Sequence, residues 1–505
     1  MNLVSIEPAG VDREALRAAL EAEVQGEVRF DKVSRALYST DASVYQIEPL
    51  GVVIPKSQDD IVRVVNLCRR FGCPVTLRGG GTSQAGQAIG EGLQVDISKY
   101  VNRLLEVNVE QGWARVEPGI VLDELNALLK PYNMRFAPDI STASRATVGG
   151  MMANNSSGAR SVLYGKTIDH VLEQKVMLSD GTITEFRPMT GAELDEKYAG
   201  GTFESECYRV VRQLGATHAE EVRKRFPKVM RRVGGYNLDE FIDADRPVNL
   251  AKLMVGSEGT LGIVLEAKIK LVPLPKHKSV LAIEFDTLLD ALGATPVILR
   301  HKPSAVEVMD KFILDHTRSS PALDKVRRTF IQGDPGALLC VEFYSDTAEA
   351  LRPRMEAVEQ DVREHGVGTH FFYATDLPAQ ARIWSVREAA LGLSMAMKED
   401  AKSVSFVEDT AVDPSVLRDY IDRFLGIIRK HETVAGVYAH ASVGCLHVRP
   451  VVNMKTEDGI RKFEAIANEV ADLVLELGGA LSAEHGDGVC AQSVSEEDVR
   501  AGAVA

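Results

Sequence analysis

Four clusters of small residues between positions 78 and 263 constrain this chain more than any other feature. They are Arg78-Gly79-Gly80-Gly81-Thr82-Ser83, then Pro138-Asp139 leading to Thr147-Val148-Gly149-Gly150, then Asn154-Asn155-Ser156-Ser157-Gly158, and Gly256-Ser257-Glu258-Gly259-Thr260-Leu261-Gly262-Ile263. Glycine lets backbone N–H groups turn towards a ligand and approach it closely. The accompanying hydroxyls and amides carry little positive charge, which suits a flat, diphosphate-bearing ligand held by neutral hydrogen bonds. A single cluster reads most simply as a turn; four in one domain do not. The first cluster also departs from two common nucleotide motifs. Gln84 stands where G-x-G-x-x-G needs its third glycine, and no Lys-Ser/Thr ending makes a P-loop.

Around these clusters the pattern is short apolar strands interleaved with helices. An amphipathic helix is expected over 13–23, with irregular chain to about 45. Strands follow at 52–54, 75–77, 93–97, 104–109 and 114–116, with helices beginning after Ser57 and over 122–129. The helix after Ser57 carries Ile61, Val64, Val65 and Cys68 at helical spacing and stops at Gly72. Residues 189–250 are charged and helical in pattern, an insertion between a strand at 182–184 and a strand-like return at 252–255. Pro273 and Pro275 mark a domain boundary. Beyond it, strands at 280–285 and 338–343 alternate with helices over 348–365, 414–431 and 456–477, a sheet with helices on one face. The fold class is α+β. A helical lead covers 1–45, a ligand domain 46–276 and a second domain 277–505.

The second domain holds the more chemical signal. Gly436 to His440 and Leu446 to Arg449 read as two strands of a hairpin, so His447 and Arg449 share a face and His440 can meet His447. After a helix ending at Gly478-Gly479 comes Glu484-His485-Gly486-Asp487-Gly488. Two histidines and a carboxylate form a divalent-metal set that leaves positions open for substrate. A lone histidine is more often structural. Three of the chain's 11 histidines within two short motifs make the functional reading as good as the bland one.

Taken with Pro55, Glu117-Pro118-Gly119 and Tyr164-Gly165, the glycine clusters resemble the FAD-binding domain of the vanillyl-alcohol oxidase/para-cresol methylhydroxylase superfamily. The resemblance implies a two-lobed FAD domain. It implies diphosphate contacts from Arg78, Gly79, Gly80, Gly81, Thr82 and Ser83, and further FAD contacts near Pro138, Thr147, Gly149, Gly150, Asn155, Gly158, Gly262 and Ile263. Covalent members carry a histidine at the first loop; none is near here, so dissociable FAD is expected. The second domain resembles the FAD-linked oxidase C-terminal domain of D-lactate, glycolate and D-2-hydroxyglutarate dehydrogenases. That resemblance implies His440, His447 and Glu484 as metal ligands, zinc the expected ion, and His485 as general base. It implies Arg387, in Trp384-Ser385-Val386-Arg387-Glu388, as the arginine for the substrate C1 carboxylate; a surface arginine on a helix is the plain alternative.

The implied reaction takes a D-2-hydroxy acid to the 2-oxo acid, with hydride passing to flavin N5. D-2-hydroxyglutarate is the first expectation, D-lactate and glycolate the next. Arg449, beside His447, is then the clamp for a second carboxylate, because it would otherwise be a poorly compensated charge; pairing with Asp487 or Glu484 is the alternative. The turn Ser442-Val443-Gly444-Cys445 departs from the family's Gly-Asp-Gly-Asn, and no substrate lysine can be placed near Phe406-Val407-Glu408-Asp409. These features resemble the bacterial branch in which a flavin half is fused to an iron–sulfur half. The tail from Val489 to Ala505 lacks the family's continuation, which motivates a second reading: a scaffold or electron-transfer subunit without turnover.

Composition bounds the rest. A net charge of −14 without basic blocks argues against nucleic acid. No apolar run reaches about 18 residues, and Met1 to Ala9 shows no signal pattern. Six scattered cysteines without a C-x-x-C pair leave no zinc ribbon or four-cysteine cluster. The expectation is a cytoplasmic protein, peripheral to the inner membrane at most and a homodimer, passing electrons to an iron–sulfur protein or domain or to a quinone.

Overall fold

The computed structural model describes residues 10–395 and 399–489. The first nine residues and the tail from Cys490, both used in the sequence reading, lie outside the described residues. Among those described, no helix is long and apolar enough to cross a membrane.

The chain builds three sheets in succession. The first has four strands, with Gly51–Ile54, Leu93–Asp96 and Val75–Arg78 parallel and Glu27–Arg29 antiparallel at one edge. Its helix Gln58–Phe71 begins where the Ser57 side chain accepts from Asp60 N, and ends at Gly72 in the left-handed region. That helix and Arg13–Glu23 bury Ile61, Val64, Leu16 and Leu20 against the strands. The segment expected to be irregular before residue 45 therefore supplies an edge strand and the helix Lys32–Leu37, capped by Asp31. A three-residue strand is too short to leave a period in the sequence.

The second sheet has six strands and is antiparallel, centred on Ile263–Pro273. Residues 252–255 do not form the expected strand. Asn249 Oδ1 accepts from Ala251 N and starts the short helix Ala251–Met254. The pairing with Met189 is made instead by Val248. Residues 189–250 do contain the helices Gly191–Ala199 and Phe203–Arg225, whose Tyr208 and Val211 pack against this sheet's core.

Between Pro273 and His277 the chain passes to a third sheet of eight strands. Alternate residues of His277–Phe285 enter different cores. Leu281, Ile283 and Phe285 meet the helices Leu288–Leu299, Leu351–Glu364, Leu417–Lys430 and Glu457–Glu476. Val280 and Ala282 meet Lys311–Thr317 and Leu377–Met395. The α+β class stands, but helices cover both faces of this sheet rather than one. The second layer is built from short or weakly amphipathic helices, which sequence periodicity does not separate from loops.

Candidate active site

The hairpin forms as its alternation requires. Ala435–His440 pairs with Cys445–Val452 through a turn of 3-10 helix, Ala441–Val443, closed by Gly444 in the left-handed region. A Cβ on Gly444 would run into the Val412 carbonyl, so only glycine serves there. Tyr438 stands opposite His447 and Gly436 opposite Arg449, which places Tyr438, His440, His447 and Arg449 on one face. The His440 and His447 rings lie 5.3 Å apart.

Residues 484–488 close over this face. Glu484 Oε1 is 3.2 Å from His447 Nε2, and Oε2 is 3.7 Å from His440 Nε2. One ligand atom from each of His440, His447 and Glu484 lies within 4.8 Å of the others. Glu307, from the strand Ala305–Asp310, accepts from His440 Nδ1 at 2.7 Å and so turns Nε2 towards Glu484. After burial, which pushes His440 down, Glu307 and Glu484 draw it up to about 9. Glu484 itself sits well below the usual carboxylate range despite burial, held there by Arg231 and His440. The site thus concentrates negative charge around two imidazoles, one of which takes a proton when no cation is bound. A divalent cation would displace that proton. The donor set, its carboxylate-oriented histidine and its charge fit a divalent ion.

His485 reaches in from the same loop. Its Nδ1 lies 3.8 Å from Glu408 Oε1 and 3.9 Å from Asp409 Oδ2, and its Nε2 lies 3.7 Å from Glu484 Oε1. Burial lowers its basicity, but Asp409, Glu408 and Glu484 together hold it above the usual imidazole value. Asp409 also fixes the loop, accepting from Glu484 N, His485 N and Ser482 Oγ.

The two arginines are placed differently from expectation. Arg387 is not a surface residue. It donates to Glu307 from Nε at 3.0 Å and Nη2 at 2.8 Å, behind His440. Arg449 is 2 % exposed and is compensated: its Nε donates to Glu408, not to Asp487 or Glu484. The expectation of an uncompensated charge fails because a buried carboxylate from 408 had no recognisable place in the sequence. Among the described residues, Nη1 of Arg449 and Oε1 of Glu408 nevertheless have no hydrogen-bond partner, and both are buried. Both guanidinium groups lie against the Tyr438 ring, at 4.8 Å and 5.9 Å.

The glycine clusters converge as well. A Cβ on Gly79 would strike Thr147 Oγ1, one on Gly80 the Arg145 carbonyl, and one on Gly149 would crowd Pro118. A Cβ on Gly158 would strike the Asp139 carbonyl, which seats the third cluster on Pro138-Asp139. Gly256 N donates to Met152 O at 2.9 Å, and Gly262-Ile263 opens the strand paired with Met177. Arg78 donates from its guanidinium to the Tyr38, Thr40 and Ala88 carbonyls, which engages that side chain within the protein. Ser83 Oγ takes the amides of Ala85 and Gln87. Nothing further distinguishes Thr82. Asn155 Nδ2 and Ser157 Oγ are buried without partners among the described residues, which fits a ligand bearing several acceptors.

Four residues that join the two halves escaped the sequence reading. Arg231 is fully buried, holds Glu484, and also donates to Ser161 Oγ and Gly158 O. Its neighbours are charged, so nothing in the sequence sets it apart from a surface residue. Asn154 donates to the Glu484 carbonyl at 2.8 Å, Gln87 to that of His485 at 2.8 Å, and Glu258 receives the loop's backbone. Their only signal was position within or beside the clusters.

Comparison with known proteins agrees with both halves. Residues 49–187 match a family described as "FAD binding domain", and residues 274–505 one described as "FAD linked oxidases, C-terminal domain". The chain is 34% identical over 504 residues to a "D-2-hydroxyglutarate dehydrogenase" of Pseudomonas putida, covering 98% of this chain and 50% of that protein. It is 27% identical to the "Glycolate oxidase subunit GlcD" of Bacillus subtilis, covering 92% of this chain and 87% of the relative. Among solved structures, p-cresol methylhydroxylase with substrate bound superposes with a TM-score of 0.66 at 14% identity, over 95% of this chain and 91% of that one. This last likeness concerns the fold. The chain spans about half the length of the D-2-hydroxyglutarate dehydrogenase it matches.

Proposed function

The chain belongs to the FAD-linked oxidases, with the FAD-binding and C-terminal domains of that family, and from this premise we propose that it is an FAD- and divalent-metal-dependent dehydrogenase of D-2-hydroxy acids. D-2-hydroxyglutarate is the first substrate, D-lactate or glycolate the alternative. The observation that carries the reading is the constellation of His440, His447 and Glu484 with His485 beside it. Its support from relatives is the D-2-hydroxyglutarate dehydrogenase resemblance over nearly the whole chain. FAD would be held without a covalent bond, since the first loop offers no histidine.

His440, His447 and Glu484 would hold the ion, zinc being the best match to two imidazoles and a carboxylate. When bound, the ion supplies Lewis acidity at the substrate hydroxyl, and the flavin supplies the two-electron oxidant. His485 takes the hydroxyl proton at the imidazole nitrogen facing Glu484. Glu307 keeps His440 in one tautomer, and Glu408 with Asp409 keeps His485 oriented. Arg387 and Arg449 supply positive charge on either part of the Tyr438 ring for substrate carboxylates. The electron acceptor would be an iron–sulfur protein or domain, or a quinone.

Two measurements test this reading. Under anaerobic conditions D-2-hydroxyglutarate should bleach the flavin. A chelator should abolish bleaching while FAD stays bound, and a divalent ion should restore it; undiminished bleaching by metal-free protein would remove the ion from the reaction. The second concerns selectivity. Arg449→Ala leaves Glu408 without its partner, which harms every substrate alike, so the ratio between substrates is the useful quantity. A dicarboxylate loses a charge-assisted contact that a monocarboxylate never made. The kcat/KM ratio of D-2-hydroxyglutarate to D-lactate should fall about tenfold or more, the equivalent of ~1.4 kcal/mol. An unchanged ratio would assign Arg449 to support of Glu408 alone.

A further inference from the structure

The loop that carries Glu484 and His485 is gripped from the FAD-binding half, and by the very segments that form the glycine clusters. Glu258, inside the fourth cluster, places its carboxylate in the concave backbone of Gly486-Asp487-Gly488. Asp487 N donates to Oε1 at 2.8 Å and Gly488 N to Oε2 at 2.9 Å. Successive amides arranged this way form a nest for an anion. Gly486 and Gly488 adopt φ of +87° and +51°, which the nest requires. Glu258 is itself in the left-handed region at φ +52°, a conformation that non-glycine residues seldom adopt. Its backbone N–H donates to Ala153 O at 2.9 Å, so the strained residue is anchored to the chain just before the third cluster.

Two further residues repeat the arrangement. Gln87 Nε2 donates to Glu258 Oε1 at 3.0 Å and to the His485 carbonyl at 2.8 Å, while its backbone N–H is held by Ser83 Oγ at 3.2 Å. Asn154 Nδ2 donates to the Glu484 carbonyl, and its neighbour Asn155 carries a buried amide without a partner among the described residues. Three of the clusters thus supply, from within or just beyond them, a side chain that holds residues 484–488.

We propose that Glu258 is a positioning residue through which occupancy of the FAD cleft orders the loop bearing Glu484 and His485. This rests on the reading that 78–83, 147–158 and 256–263 hold FAD. A ligand that orders those segments fixes Ser83, Asn155 and Glu258 together, and the nest is then presented with its anion in place. By reciprocity, anything that orders the loop tightens FAD to the same degree. Neither Glu258 nor Gln87 touches the reacting atoms in this scheme; they set where His485 stands.

Amide hydrogen exchange on the full chain, stripped of flavin and then reloaded, reads this directly. FAD should slow exchange across 484–488 by about tenfold or more in the wild type. Two variants attack the contact from opposite sides. Glu258→Gln replaces one acceptor oxygen by an N–H donor, and Gly486→Ala puts a Cβ into Glu258 Oε1. Each should show less than about a twofold FAD effect on 484–488 while FAD still protects 78–83. A merely structural role would speed exchange in both states equally and leave the FAD effect intact. Wild-type protection of 78–83 and 147–158 without any change at 484–488 overturns the coupling, as does a FAD-bound variant with the wild-type response. If FAD protects none of the clusters, the cofactor reading fails instead. The wild-type comparison decides the coupling by itself should a variant not fold.

Discussion

Replacing His485 with alanine is expected to slow flavin reduction by D-2-hydroxyglutarate by ~10²–10⁴-fold, the usual worth of a positioned general base. The imidazole sits among Glu408, Asp409 and Glu484 at 3.7–3.9 Å, so its removal takes away the group placed to accept a proton beside the proposed ion site. Glu484 N and His485 N would still donate to Asp409, which keeps the loop in place. FAD content and ion binding should therefore survive. Anaerobic stopped-flow separates this from a folding defect, because the variant should remain yellow and bind product while bleaching slowly. The wild-type rate should rise with pH as the imidazole loses its proton, and the variant should lack that rise. A variant within about threefold of the wild type would exclude His485 as the base.

A second large effect, on stability, is expected at Arg160. This arginine leaves the third cluster and enters the other half of the molecule. It donates to Glu342 from Nε at 2.7 Å and Nη2 at 2.9 Å, and to Asp139 from Nη1 at 2.9 Å. Glu342 is wholly buried in the strand Ala337–Ser345, and Arg160 lies over Tyr344 and Trp384. Burial opposes the guanidinium's charge, yet Glu342 more than restores it. Breaking such a pair strands a buried carboxylate, at a cost of roughly 3–5 kcal/mol. Arg160→Ala should lower the urea midpoint accordingly, and Arg160→Met with Glu342→Leu should recover much of the loss. An unfolding free energy within about 1 kcal/mol of the wild type would mean that water or relaxation replaces the pair.

The hairpin was legible because its period of two leaves alternating polar residues in an otherwise apolar strand. His440 and His447 could therefore be set together from the alternation, while Glu484 was joined to them as a ligand by the resemblance to the FAD-linked oxidase C-terminal domain. The clusters were legible because glycine and hydroxyl side chains are scarce together outside ligand loops. Arg231 was not, since a charged residue in a charged segment looks solvated, and only tertiary packing buries it. Arg449 shows the same limit from the other side. Its own position could be read, but its partner Glu408 comes from a stretch 41 residues earlier with no period to place it. The covering of the second face of the large sheet was missed for a similar reason: Lys311–Thr317 and Pro321–Arg327 are seven residues each, too short for a helical stripe.

The contacts that hold residues 484–488 join positions very distant in the chain: Gln87 lies 398 residues from His485, and Arg231 lies 253 from Glu484. Such pairs form only after long stretches of chain have found their places, which makes them late events in assembly. During synthesis the flavin half emerges whole while the residues that complete the reaction centre are still inside the ribosome. A nascent chain can thus acquire a cofactor cleft well before it has the means to turn over.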